Sequence, residues 1–183
     1  MTDNPVPFVR YLEELRDRED HAALATLRRG LGKPPGASVE MLPYVVPWLP
    51  KNATSWEEEP YFIVAALFAS HPKAGGAGTV GAALGRVFRE TGSSSIERRF
   101  MALLNSHRED LPDRLRHAVA LARSRDVPLD WHQLFRDLQG WGHPDRYVQR
   151  RWARDFWVEA GMHEEPRGVS RDEQEAYEDS EGG

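Results

Sequence analysis

Cysteine is absent from the 183 residues, which excludes disulfides, thiolate metal sites and a cysteine nucleophile, and removes the usual signature of an oxidising compartment. Lysine is scarce: three lysines stand against 21 arginines, so positive charge is carried almost wholly by guanidinium groups. No apolar run reaches membrane-spanning length, and the opening MTDNPVPFVRYLEELRDRED lacks the basic segment and apolar stretch of a signal peptide. A cytoplasmic protein without membrane association is expected. The seven histidines form no metal-ligand spacing with carboxylates, and neither G-x-S-x-G nor a Walker A loop occurs. Residues 57–59 and the pair Glu109 and Asp110 are adjacent acids of the kind that cap or solvate helices. His107, beside Glu109 and Asp110, is the least poor acid–base candidate; the alternative is a helix-end histidine interacting with terminal carbonyls. No catalytic activity, metal or cofactor is expected.

Strand signals are few, whereas helical periodicity and helix caps recur, so the chain reads as all-α. Phe8, Tyr11, Leu12 and Leu15 mark a first amphipathic helix, and Ala22, Ala23 and Leu27 a second that should stop at Gly30 in the left-handed conformation. The loop LGKPPGAS follows, and Pro43, Pro47 and Pro50 limit the next apolar segment to short helical pieces. Thr54 with Glu57, and Ser94 with Glu97, have capping-box spacing; Asp130 reads as an N-cap for a helix ending at Gly140. Ile96, Phe100, Leu103 and Leu104, then Leu115, Ala118, Val119 and Ala122, then Trp131, Leu134, Phe135 and Leu138 are the inward stripes of successive helices, with Trp141 also assigned to the core. The expected architecture is two small helical bundles packed as two lobes, residues 1–92 and 93–160, followed by a disordered acidic tail at residues 161–183.

Gly76, Gly78 and Gly81 spell G-x-G-x-x-G, the spacing of a dinucleotide-binding turn. That turn needs a strand before it and a second βαβ unit after it. Neither pattern is present, so the segment reads as a flexible Gly-rich connector before a helix TVGAALGRVFRE, with Lys73 placed to let it touch a phosphate.

Net charge is -5, but it is unevenly spread. Residues 164–183 carry eight acids and two bases, leaving 21 acids against 22 bases before them. Residues 86–163 hold 14 bases and 11 acids, the asymmetry a polyanion-binding surface needs. The closing stretch HPDRYVQRRWARDF sharpens the point. At about 100° per residue, Val148, Trp152 and Phe156 share one arc, while Arg146, Arg150, Arg151 and Arg154 lie on the other with Tyr147 and Trp157 between them. Guanidinium groups bind phosphates through charge-assisted hydrogen bonds, and interleaved rings offer stacking to unpaired bases, which suits a single strand better than a duplex. The alternative is an ordinary surface helix with its aromatics tucked under a neighbour.

LRRG at residues 27–30, ERRFMALL at 97–104, LPDRLRH at 111–117, PLDWHQLFRDLQGW at 128–141 and the arginine-rich closing helix follow in a particular order and spacing. Over residues 11–158 this set closely resembles the small subunit of the type I-E CRISPR Cascade surveillance complex, the CasB family. The resemblance implies an all-helical, non-catalytic protein present in two copies, beside the large subunit and the backbone subunits that carry the guide RNA. It implies that the protein helps hold the target and displaced DNA strands of the R-loop. Carried over by position, Arg28, Arg29, Arg98, Arg99 and Arg116 become candidate DNA contacts. Arg146, Arg150, Arg151 and Arg154 join them mainly through the helical-face argument, with Tyr147 and Trp157 as candidate stacking residues. His117 stands where another basic residue would be expected, and the acidic tail lies outside the resemblance. The alternative function is a structural spacer whose arginine stripes contact neighbouring subunits.

Overall fold

The computed structural model describes residues 6–162; the expected disordered tail falls, but for its first two residues, outside the described residues. Within them nine α-helices form and no strand does. Helix α1 (Pro7–Asp17) starts with proline at its first position, where a missing N–H costs nothing, and buries Phe8, Val9, Leu12 and Leu15. Helix α2 (His21–Arg28) is capped by Asp20, whose carboxylate accepts from the Ala23 N–H at 2.9 Å. Gly30 does not take the left-handed conformation expected of it; its missing Cβ instead leaves room for the Met41 thioether. The proline-rich stretch yields only α3 (Leu42–Val45), flanked by single 3-10 turns.

Helix α4 (Ser55–Ser70) is the hub, buried on every side from Phe62 to Ala69. Its start is the expected capping box: the Glu57 carboxylate accepts from the Thr54 backbone N–H at 2.8 Å and from the Thr54 hydroxyl at 2.9 Å. These bonds, the backbone one foremost, hold the Glu57 carboxyl below its usual range. The cap therefore stabilises the fold above the ordinary carboxylate pKa, and its contribution is lost as pH falls through the depressed value. Glu57→Gln is expected to flatten the acid limb of the stability curve, measured by urea unfolding between pH 3 and pH 7; an unchanged limb would assign that pH dependence to other carboxylates.

Helices α5 (Val80–Thr91), α6 (Ser94–Leu104), α7 (Leu111–Ser124), α8 (Trp131–Gly140) and α9 (Tyr147–Glu159) complete the fold. Asp130 caps α8 as expected, accepting from the Gln133 N–H at 2.8 Å. The expected Ser94–Glu97 box does not form: α6 begins one residue earlier, with Ser93 as N-cap and no side-chain cap.

The helices sort into two bundles, but not by chain order. α1 to α4 pack together with α8, while α5, α6 and α7 pack together with α9, and α4 against α7 and α8 against α9 join the groups. The chain thus crosses between bundles on either side of α8, and one buried cluster runs from Phe8 to Phe156 across the boundary expected at residue 92. The tightest of these helix pairs is α5 with α9. Cβ atoms added at Gly81 or Gly85 would fall on the carbonyls of Trp152 and Phe156, so the two backbones meet without intervening side chains.

The G-x-G-x-x-G glycines are explained the same way. Gly76 lies against the backbone of Leu129 and Asp130, Gly78 has φ +82°, and Gly81 seats α9. Lys73 is held by Asp126, donating to its carbonyl at 3.0 Å and pairing with its carboxylate. The segment is a packing device between helices.

Candidate nucleic-acid interface

The closing helix has the two faces its sequence implies. Val148, Trp152 and Phe156 are fully buried, with Phe156 stacked on Phe100 of α6 at 4.2 Å between ring centroids. Opposite them, Arg150 and Arg154 are exposed, and their guanidinium groups make no hydrogen bond or ion pair with the described residues. They lie one turn apart, and Tyr147, 41% exposed, begins the same stripe.

The other two arginines of this helix are tied to the protein. Arg146, at the N-cap with φ 49°, donates Nη2 to the Leu104 carbonyl at 2.6 Å and so closes the C-terminus of α6. Arg151 turns to α8, where it bonds Asp137. The Asp137 side chain has no solvent exposure. It also accepts from the Trp152 indole N–H at 2.6 Å and from the Gln133 amide at 2.7 Å. Burial pushes the Asp137 carboxyl up, against the pull of these three donors. Asp137 is the α8–α9 clasp. The signal in the sequence is its place three residues after Leu134, which puts it at the margin of the buried stripe.

Arg98 and Arg99 of α6 are exposed and without a bonding partner among the described residues. Arg99 lines the rim of a groove of about 300 Å³, floored by residues such as Leu84, Phe100 and Leu121, together with Arg114 and His117 of α7. No carboxylate lines it. Arg116 instead grips Asp113 through Nη2 at 2.6 Å, and this bond, with the charge of Arg116, lowers the Asp113 carboxyl. Both partners are roughly half exposed, so the pair is worth about 0–1 kcal/mol and leaves Arg116 able to exchange partners. Arg28 and Arg29 stand on the other bundle, exposed at the C-terminal end of α2, with Leu27 beside them fully buried. Trp157 meets the edge of Phe156 at 4.8 Å and packs on the core margin. The Tyr147 ring stands T-shaped to His143, with its hydroxyl close over Gly140.

Two further residues escaped the sequence reading. Trp56, on the first turn of α4, is 55% exposed, and the Arg108 guanidinium lies 3.2 Å from its ring centroid. Arg108 Nη2 donates to the Trp56 carbonyl at 2.6 Å and Nε to Glu59 at 2.8 Å. The signal was Pro60: lacking an N–H, it leaves the carbonyl four residues earlier, that of Trp56, without a helical partner. Among the described residues no group of histidine and carboxylate side chains forms a metal-binding cluster, and no helix is long and apolar enough to cross a membrane.

Comparison with known proteins agrees with this architecture. The family described as CRISPR-associated protein Cse2 matches residues 23–157. The CRISPR-associated protein Cse2 of Thermus thermophilus is 40% identical over 164 residues, covering 87% of this chain and 94% of the relative. The crystal structure of CasB from M. ruber superposes with a TM-score of 0.70 at 34% identity, covering 85% of this chain and 93% of that one. A chain of a solved CRISPR RNA-guided surveillance complex superposes with a TM-score of 0.72 at 28% identity, covering 85% of this chain and 92% of its own. The chain belongs to the Cse2, or CasB, family of CRISPR-associated proteins.

Proposed function

We propose that this chain is the non-catalytic small subunit of a CRISPR RNA-guided surveillance complex and that it binds DNA without sequence readout. The observation that carries the DNA part is that several exposed guanidinium groups make no hydrogen bond or ion pair among the described residues, Arg28, Arg29, Arg98, Arg99, Arg150 and Arg154 as well as Arg10, Arg114 and Arg125. Most arginines that serve the fold are bound to carboxylates or carbonyls, as Arg146 and Arg151 are. An unpaired guanidinium on a rigid helix keeps its donors for an external anion, and phosphate accepts them bidentately. Base readout needs side chains that reach base edges in a groove, whereas a stripe along one helix meets backbone phosphates. R-loop formation exchanges one duplex for another at nearly equal free energy, so modest phosphate binding to the target and displaced strands tips the balance. Other copies of this chain, the large subunit, the backbone subunits and the guide RNA are the expected partners.

The test compares the full chain with the variant Arg150→Ala and Arg154→Ala, using fluorescence anisotropy of a labelled single strand and then a duplex across a salt series. Each phosphate neutralised on a single strand contributes about 0.7 to the slope of log K against log salt, so the double variant should lose about 1.4 and weaken on every sequence alike. An unchanged slope with failed assembly of the complex would assign the stripe to protein neighbours instead.

A further inference from the structure

We infer that the cleft between Trp56 and Tyr147 is a base-stacking site, taking an unpaired nucleobase from the strand whose phosphates run along α9. This rests on the strand-binding reading above and adds a contact of different chemistry.

Trp56 stands on the border of two clefts. The larger, about 900 Å³, is lined by Glu59, Glu109 and Asp113 as well as Lys33, and is therefore mixed in charge. The second, about 630 Å³, is lined by Trp56, Arg108, Arg136, Gln139, His143 and Tyr147, with the glycines 140 and 142, and by no carboxylate. A polyanion is admitted to the second cleft and opposed at the first. Of the acids beside it, Glu59 is already engaged, accepting from Arg108, while Asp145 is largely exposed to solvent and does not line the cleft.

The aromatic wall is fixed in place. Arg108 covers the Trp56 ring while its Nε and Nη2 are held by Glu59 and the carbonyl that Pro60 orphans, leaving Nη1 without a hydrogen bond and nearest the open side of Gly142. A ring already ordered loses little entropy on stacking, and a cation against it strengthens the stack. Gln139, exposed and without a bonding partner among the described residues, offers an amide to a base edge. The cleft also continues the α9 stripe. At 1.5 Å per residue, Arg150 and Arg154 lie about 4.5 and 10.5 Å along the axis from Tyr147, within some 60° of it around the helix. A strand bound to those arginines reaches the cleft at its next nucleotides.

The test measures binding of the full chain to an oligothymidine strand, to the same strand carrying abasic sites, and to a duplex. Trp56→Ala should weaken oligothymidine binding roughly 5- to 150-fold with the salt slope and duplex affinity unchanged. Wild type on the abasic strand should be equally weak, and Trp56→Phe should recover much of the loss; circular dichroism checks each fold. Unchanged oligothymidine affinity in Trp56→Ala would overturn the inference while leaving phosphate binding intact. So would unchanged affinity with failed assembly of the complex, which would make Trp56 a protein contact. If wild type binds no strand at low salt, the DNA-binding function itself fails, and this site with it.

Discussion

Asp137→Ala should lower the free energy of unfolding by roughly 3–5 kcal/mol, a large share of the 5–15 kcal/mol typical of a domain. The carboxylate is sealed between α8 and α9 and accepts from Trp152, Gln133 and Arg151. Truncating it strands the indole N–H of Trp152, a residue with no solvent exposure, and leaves a cavity at the joint between the bundles. Arg151 is 41% exposed and can turn to water, which favours the lower end of the range. Asp137→Asn keeps the shape and one acceptor oxygen, so it should cost less than Asp137→Ala. Urea unfolding followed by circular dichroism measures both; a loss below about 1 kcal/mol for the alanine variant would mean that the clasp contributes little beyond the packing around it. Arg151→Ala separates stability from binding. Because its guanidinium serves Asp137, it should lower the unfolding midpoint while leaving the salt slope for DNA nearly intact, the reverse of Arg150→Ala with Arg154→Ala.

That contrast marks what the sequence could reveal. Periodicity placed Val148, Trp152 and Phe156 in the core because a helix has a fixed angular step and apolar burial is non-directional. The caps at Thr54 and Asp130 were legible because they are local, three-residue geometries. Ser94 was misread as a cap because Ser93 offers the same chemistry one position earlier. What sequence could not distinguish was one arginine from the next. Arg150 and Arg151 are neighbours of one type; a rotation of about 100° sends the first to solvent and the second to Asp137, whose burial depends on α8 meeting α9. Arg146 likewise depends on where α6 ends. The bundle pairing was hidden for the same reason, since the contact of α5 with α9 joins segments some 70 residues apart through Gly81 and Gly85, and glycines within a helix do not by themselves say which neighbour they admit.

Those glycines give the second large effect. Glycine inside a helix costs about 1 kcal/mol relative to alanine, so Gly81 and Gly85 on α5 weaken their own helix unless packing compensates. The compensation is the approach of α9. A Cβ on Gly81 would meet the carbonyl, carbonyl carbon and Cα of Trp152, all backbone atoms that no side-chain rotation can move aside. Gly81→Leu must therefore push α9 away and loosen the seat of Trp152 and the Phe100–Phe156 stack, at an expected cost of about 3 kcal/mol or more. Gly81→Ala recovers the propensity and forces a smaller separation, so its loss should be roughly 1–2 kcal/mol. Gly142→Ala is the control: the added Cβ would find only Arg108 Nη1, at 3.7 Å, and stability should stay within about 0.5 kcal/mol of wild type. Thermal unfolding of the three variants tests the ranking. If Gly81→Ala were stabilising, α5 and α9 would have room between them, and the stripe of Arg150 and Arg154 would not be rigidly seated. If the expected order holds, Gly81, the last glycine of the spacing that mimics a nucleotide-binding turn, serves to set α9, and with it the cationic stripe, against the rest of the fold.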